Sequence, residues 1–386
     1  MTASVSITLK KEDEKLKRIL VFGLTENPGG VEKFLLNYYR YIDREIIQFD
    51  FLCASPFKAA YEDERLALGG RVFHITSRRQ NPLKYIKQVM NVFKAHSTEW
   101  SAIWVNQNIL SNIDYLKIAK RFGIKRRIIH SHNSRSMDSR VNYRNALHFM
   151  NKCIIGRCAT DYWACSPDAA KWFYAGKTLE KTVLIHNAIE VEQMAFDPSK
   201  REKIRKEYGW GTQYVIGSIG RLHYQKNQSF AIDVFQHFHT VHPDSVLVFV
   251  GQGEDEQMLR EKVGALGLSD AVAFAGFQND IQGWLSCFDL FLLPSRFEGL
   301  CIAAMEAQAN GVPVLASNGV ISDDARMNEN FVFFDLDRGA EAWSRKAEKM
   351  THLKREAFDE IKSRFQRKGY DIASEAGRLE KMLLSR

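Results

Sequence analysis

Apolar and polar positions follow two rhythms along this chain. Short runs that are apolar throughout, such as Val246–Val250, alternate with longer stretches in which apolar residues recur every three or four positions. An apolar run without alternation suits a parallel strand covered on both faces. In the front half Arg18–Gly23, Phe49–Cys53, Arg71–Ile75, Ala102–Val105, Arg127–His130, Tyr162–Cys165 and Thr182–Ile185 read as strands. Val31–Tyr41 and Leu83–Phe93 read as helices, the latter on the spacing of Ile86, Val89, Met90 and Phe93. After a charged helix at Ser199–Tyr208 the pattern restarts. Tyr214–Ile219, Ser245–Val250, Val272–Phe274, Leu290–Leu293 and Val312–Leu315 read as strands, and Ser229–Thr240 as a helix. Arg355–Leu384 reads as helices. Two β/α series joined near residue 190 predict the α/β class, with two doubly wound Rossmann-like domains facing a cleft. Their expected extents are 17–190 and 191–365, preceded by a loose tail at 1–16 and followed by a C-terminal helix at 366–386.

Composition narrows the class. The 386 residues are 45% hydrophobic and 26% charged, which excludes disordered and fibrous chains. No run approaches the roughly 18 uncharged apolar residues of a membrane span. The polar start, MTASVSITLKKEDEKLKR, lacks the apolar core of a signal peptide. Cys53, Cys153, Cys158, Cys165, Cys287 and Cys301 form no CxxC pair and no common zinc spacing, so the expectation is no metal and reduced thiols in a cytoplasmic protein. Charge is uneven. Residues 1–190 hold 30 Lys and Arg against 18 Asp and Glu, while residues 191–386 hold 24 against 28. The basic front half suits an anionic partner: a membrane surface, a phosphate-bearing substrate or nucleic acid.

Candidate chemistry gathers at strand ends, where ligands approach open α/β sheets. Gly220-Arg221-Leu222 ends the strand that opens the second domain, and Lys226-Asn227 follows. Two cations in a loop that feeds a helix can grip a diphosphate, with the helix N–H groups adding to the hold. Pro294-Ser-Arg-Phe-Glu298-Gly299-Leu300 follows the Leu290–Leu293 strand, and Glu306 lies eight residues beyond Glu298. With a helix over Gly299–Ala309, Glu298 stands at its entrance and Glu306 about two turns along. Such carboxylates can accept bonds from sugar hydroxyls and from a ribose diol. In the front half, Asn27-Pro-Gly29-Gly30 opens a helix, and His130-Ser-His132-Asn133 ends a strand at the cleft. A plain turn and a core histidine are the competing readings of these two segments.

These segments, with Gly311-Val-Pro-Val, resemble the nucleotide-sugar site of retaining glycosyltransferases of family 4, which have the GT-B fold. Ile185-His-Asn187-Ala-Ile189 is similar to the family's hinge segment, with Ala188 and Glu190 in place of its usual Gly and Asp. The resemblance runs from Gly29 to about Lys381. Within the family the chain looks most like exopolysaccharide and capsular polysaccharide enzymes of the EpsF type, on His130–Asn133 and Ala316–Ser322. The resemblance implies an N-terminal acceptor-binding domain, a C-terminal nucleotide-sugar-binding domain, and a last helix crossing back to the first domain. It implies a metal-independent hexosyltransferase with no cofactor beyond its nucleotide-diphosphate sugar donor, a UDP-sugar being favoured. The anomeric configuration would be retained by front-face attack, so the carboxylate-pair rule of glycosidases does not apply. His132, Arg221, Lys226 and Glu298 would carry catalysis, with either His130 or His132 contacting the donor and His132 favoured. Gly29, Gly30, Asn187, Gly220, Gly251, Gly253, Gly299, Leu300 and Glu306 would bind the donor.

The expected acceptor is a lipid-linked saccharide, with docking on the inner face of the cytoplasmic membrane through Lys84, Lys87 and Lys94. Rival readings are a nucleotide-sugar 2-epimerase, a non-catalytic nucleotide-sugar-binding protein and a nucleic-acid binder. Lys125-Arg-Arg127 belongs to no recognisable nucleic-acid module, so no nucleic-acid partner is expected. Asp335-Leu-Asp337 imitates a metal-binding pair but reads as a surface turn. Gly251-Gln-Gly253 lacks the third glycine of a dinucleotide fingerprint.

Overall fold

The computed structural model describes residues 16–134, 143–298, 301–318 and 323–385. The N-terminal domain runs β1 (Lys17–Leu24), α1 (Gly30–Tyr41), β2 (Ile47–Cys53), α2 (Glu62–Ala67), β3 (Arg71–His74), α3 (Pro82–His96), β4 (Trp100–Gln107), α4 (Asp114–Arg121), β5 (Arg126–Ser131), α5 (Tyr143–Ile154), β6 (Asp161–Ala164), α6 (Pro167–Phe173), α7 (Lys177–Glu180) and β7 (Val183–Leu184). The C-terminal domain runs α8 (Pro198–Glu207), β8 (Tyr214–Ile219), α9 (Gln228–Val241), β9 (Ser245–Val250), α10 (Glu256–Ala265), β10 (Val272–Gly276), α11 (Ile281–Cys287), β11 (Leu290–Leu293), α12 (Ile302–Asn310), β12 (Val314–Ser317), β13 (Phe331–Phe334) and α13 (Gly339–Glu348). Two further helices, α14 (Phe358–Lys368) and α15 (Ile372–Leu384), complete the chain.

Both sheets are parallel. The first has the order β3-β2-β1-β4-β5-β6-β7 and the second β10-β9-β8-β11-β12-β13. Strand order therefore reverses between β1 and β4, and again between β8 and β11. Loops leaving the two strands at such a reversal diverge to opposite faces and open a crevice. The apolar runs sit where the pattern places them: all six residues of β9 are buried.

The last helix crosses back to the first domain. Ile372, Ala376, Leu379 and Leu383 of α15 join the core built by Phe34, Leu35 and Tyr38 of α1. Arg126 donates to the Met382 and Leu383 carbonyls at 2.8 and 3.0 Å, satisfying acceptors that a helix end leaves open. The chain crosses between domains twice, side by side. Ile189 N–H donates to Tyr370 O and Ile372 N–H to Ile189 O, both at 3.0 Å.

Several boundaries differ from the sequence reading. The break before the last helix is at Gly369, whose left-handed φ of 74° ends α14, so residue 365 lies inside a continuous helix. The strand expected at Val312–Leu315 is Val314–Ser317, because the Val312–Pro313 step only leads into the ladder. Helix α3 buries Tyr85, Val89 and Phe93 and leaves Ile86 exposed. The helix around Glu306 begins at Ile302 rather than Gly299. Gly299 and Leu300 lie outside the described residues, as do residues 319–322 of the Ala316–Ser322 segment and nearly all of the expected N-terminal tail.

Candidate active site

At the first strand reversal, the loop after β1 leads into α1. Gly29 caps that helix in extended backbone. A Cβ on Gly30 would meet nothing within 4 Å, so the space before α1 is open. A Cβ on Gly29 would crowd the Glu32 carboxylate, 2.7 Å away. That carboxylate accepts from Thr25 N–H at 3.0 Å and Thr25 Oγ1 at 2.7 Å, which folds the loop back on the helix start. Glu32 is thereby occupied within the turn, and the start of α1 has no side-chain cap on its amide groups.

His130 and His132 end β5 but differ in setting. His130 is wholly enclosed, stacked on Trp104 with Phe34 at its edge, and neither ring nitrogen has a hydrogen-bond partner among the described residues. Burial, with His132 beside it, holds its pKa well below the usual value. His132 Nε2 bonds Asn106 Oδ1 at 2.8 Å, at the end of β4. Burial pushes its pKa down to about 3, so it is neutral at physiological pH. Next along the chain, Ser134 Oγ donates across the cleft to the Glu298 carbonyl at 2.8 Å.

The second reversal brings together the loops after β8 and β11. Lys226 Nζ lies 2.7 Å from Glu298 Oε1 and 3.2 Å from Cys301 Sγ. The Lys226 side chain is 17% exposed and that of Glu298 is 8% exposed. Burial opposes the Lys226 charge, but Cys301 and Glu298 more than offset it and hold the pKa above its ordinary value. Burial pushes the Cys301 thiol up to about 11, so it is neutral and the carboxylate supplies the countercharge. Backbone ties fix the two loops: Arg296 N–H donates to Gln225 O at 2.8 Å, and Asn227 Nδ2 to Pro294 O at 3.1 Å.

Arg221 sits differently from Lys226. Its side chain is 58% exposed and its Nε bonds Glu254 Oε2 at 2.9 Å, on the outer side of the loop. The two cations expected to grip one diphosphate are thus held apart by separate carboxylates.

Glycines let the strand-end loops touch. A Cβ on Gly251 would overlap the Gly220 carbonyl, and one on Gly253 would overlap that of Leu222. A Cβ on Gly220 would press on the Lys226 stem, 2.9 Å from Cε. The loops are joined by Gly220 N–H to Val250 O at 2.9 Å and Leu222 N–H to Gln252 O at 3.1 Å. These three glycines therefore pack protein against protein.

Glu306, on α12, is buried, and no hydrogen bond to its carboxylate occurs among the described residues. Burial raises its pKa to about 7, while Lys33 on α1 and Lys226 pull it down in part. The same field reaches Tyr61, whose phenol is raised first by burial and next by Glu306. Glu306 thus faces the first domain. Asn187 is buried in the crossing segment, with its Oδ1 unpartnered among the described residues. Tyr38 OH donates to His186 O at 2.6 Å, and Arg40 pairs with Glu190 at 3.2 Å, so α1 holds that segment.

Sequence reasoning missed Asn106, Ser134, Gln225, Glu254 and Cys301. Asn106 carries a signal, as the first polar residue where the apolar run of β4 ends. Gln225 and Cys301 lie inside segments already singled out, but their roles depend on which loop meets which. Asp335 accepts from Asn318 Nδ2 at 3.0 Å in the turn after β13, away from both reversals.

Comparison with known proteins fits this geometry. Residues 200–370 match the family model Glycosyl transferases group 1. EpsF of Bacillus subtilis (strain 168), a protein assigned as a glycosyltransferase, is 28% identical over 94% of this chain and 95% of its own. A galactosyltransferase of Escherichia coli, named for UDP-Gal and GlcNAc-diphosphoundecaprenol, is 32% identical over 36% of this chain and 37% of its own. Among solved structures, Anabaena HepE in complex with UDP and glucose superposes with a TM-score of 0.76 at 20% identity, over 96% of this chain and 100% of that one. WaaG, a glycosyltransferase involved in lipopolysaccharide biosynthesis, gives 0.72 at 14% identity, over 95% and 100%. The C-terminal domain, over residues 200–370, is thus similar to the group 1 glycosyltransferases, and the two domains together have the GT-B fold.

Proposed function

We propose that the chain is a retaining, metal-independent glycosyltransferase of family 4. It moves a sugar from a nucleotide-diphosphate donor, with UDP-sugars favoured, to a lipid-linked saccharide in exopolysaccharide or capsule assembly. The observation that carries this reading is the Lys226–Glu298 pair, 2.7 Å apart, at the strand reversal of the second domain, where Ser134 of the first domain reaches the Glu298 carbonyl. As the bond from the anomeric carbon to the diphosphate breaks, negative charge grows on the leaving oxygen. A preorganised ammonium and the amide end of α9 stabilise that charge. The acceptor oxygen bonds to the same face of the sugar and its proton passes to the departing phosphate, so no enzymic nucleophile is needed. A diphosphate that draws Lys226 toward itself frees Glu298 to accept sugar hydroxyls. Arg221 exchanges Glu254 for the same diphosphate, and Glu306 accepts the ribose diol.

The UDP preference is supported by the names of the Escherichia coli relative and the Anabaena structure. The same relative's name supports a lipid-linked acceptor. Membrane docking is supported by the N-terminal domain's surface. Leu83 is 86% exposed, beside Lys84 and Lys87 on α3, and Ile86, Phe149 and Met150 are also exposed. The start of α3 and the body of α5 flank one loop, since Asn112 bonds Tyr85 OH and Asn151 bonds Leu110 O. No helix among the described residues is long and apolar enough to cross a membrane. A thermal-shift screen against UDP-, GDP-, ADP- and dTDP-sugars tests the donor. A UDP-sugar at 100 times its Kd should stabilise the fold by about 2.7 kcal/mol. A flat response to all four would overturn the reading.

A further inference from the structure

Four side chains at the second strand reversal form one chain of contacts. Gln225 Nε2 donates to the Phe297 carbonyl at 2.9 Å and to Glu298 Oε2 at 3.2 Å. The other oxygen of Glu298 holds the Lys226 ammonium at 2.7 Å. That ammonium also donates to Cys301 Sγ at 3.2 Å. Gly220 shapes the slot, because any side chain there would meet the Lys226 stem. Gln225 itself is anchored through its carbonyl, which accepts from Arg296 N–H at 2.8 Å.

A lysine ammonium is a point charge on a flexible stem, and without side supports it samples many positions. Charge stabilises a transition state best when it needs no reorganisation at the moment of reaction. We infer that Gln225 and Cys301 are positioning residues for the Lys226–Glu298 pair, acting through that pair and not on the donor. Gln225 fixes the rotation of the Glu298 carboxylate, so that Oε1 stays within ion-pair distance of Lys226. Cys301 gives the ammonium a second neighbour. That neighbour is uncharged at neutral pH, because burial keeps the thiol protonated. The ammonium is therefore held by two neighbours of which only Glu298 is charged, and it can turn to an incoming diphosphate. A carboxylate in the same place would compete with that anion. The inference rests on the donor-site reading of Lys226 and Glu298 above.

The test compares Gln225→Ala, Gln225→Glu, Cys301→Ala and Cys301→Ser in the full chain, with a UDP-sugar donor identified by the screen. Sugar transfer gives kcat and KM, and calorimetry gives donor affinity. Gln225→Ala and Cys301→Ala should lower kcat by roughly fivefold or more, with donor Kd held within about threefold. Cys301→Ser should recover most of the loss, because a hydroxyl keeps an uncharged acceptor against Lys226. Gln225→Glu places a second carboxyl group where an amide lay 3.2 Å from Glu298. Like charges that close raise the pair's apparent pKa, so the acidic limb of kcat/KM should move up by about one pH unit or more. Unchanged kcat in both alanine variants would overturn the inference. So would losses that track Tm while the pH profile stays put. If Lys226→Ala leaves transfer intact, the site reading itself falls. If Lys226→Ala abolishes transfer and the Gln225 and Cys301 variants leave kcat unchanged, this inference alone falls.

Discussion

Glu306 gives a prediction whose sign can be worked from the structure. Burial lifts its pKa from 4.5 to about 7, against the partial pull of Lys33 and Lys226. An acid with a folded pKa above its unfolded one is easier to bury protonated. Below about pH 4.5 it therefore costs the fold nothing. The penalty grows as pH rises from 4.5 and is complete above about 7. A shift of that size corresponds to about 3 kcal/mol, and relaxation around the group makes this an upper bound. Glu306→Gln removes the charge and keeps the shape. It should match wild type in thermal unfolding at pH 4 and exceed it at pH 8. A ribose diol that donates to the ionised carboxylate should draw its proton off. Wild-type affinity for a UDP-sugar should then rise by roughly tenfold from pH 6 to pH 8, and the Gln variant should bind more weakly with a flatter pH response. Calorimetry in two buffers of different ionisation enthalpy would show the released proton. Equal pH dependence in the two proteins, or a Gln variant less stable than wild type at pH 8, would refute the reasoning.

Three further outcomes are expected. Leu383→Ala opens the α1–α15 core and should cost about 2–5 kcal/mol, read as a lowered Tm; an unchanged Tm would contradict the return of the last helix to the first domain. Gly253→Ala forces its loop off the Leu222 carbonyl, and calorimetry should show donor binding weakened by roughly tenfold with the fold intact; unchanged affinity would remove the loop from the donor site. Replacing Lys84 and Lys87 together by Glu should reduce sedimentation with anionic phosphatidylglycerol vesicles by tenfold or more, at ~1 kcal/mol per basic residue removed; equal sedimentation would contradict docking through α3.

The fold was legible because buried parallel strands announce themselves as apolar runs, and those of β8, β9 and β11 do so plainly. The strand ends then pointed to the loops that matter. Less legible was anything decided by contact between distant segments. The outward face of α3 was misread at Ile86 because Tyr85, its polar-tipped neighbour, takes the inward position and bonds Asn112 through its hydroxyl. The buried carboxylate Asp50 left no pattern, yet Arg18, Arg71 and Trp100 converge on it from β1, β3 and β4. Arg65 likewise reads as a surface residue, but it is wholly buried, with its guanidinium on the carbonyls of Ala60 and Glu32. In the site, the types and spacing of Lys226 and Glu298 were visible, but their pairing was not. Arg221 looks equivalent to Lys226 in sequence and is set apart by its exposure and by its pairing with Glu254, 33 positions away.

The charge imbalance between the halves also gains a physical meaning. On the proposed reading the C-terminal domain grips the donor with few cations, Lys226 and Arg221, each set in place by a carboxylate. The excess positive charge lies on the domain that carries the exposed apolar residues of α3 and α5, where a lipid-linked acceptor would approach.

The central claim is that Lys226 and Arg221 stabilise a departing nucleoside diphosphate. The measurement that tests it most directly is release of nucleoside diphosphate from a UDP-sugar by wild type, Lys226→Ala and Arg221→Ala, each confirmed folded by its Tm. The account predicts that each variant loses turnover by a factor on the order of 100 or more, as for removal of one preorganised charge-stabilising donor. Wild-type turnover in both variants would contradict it.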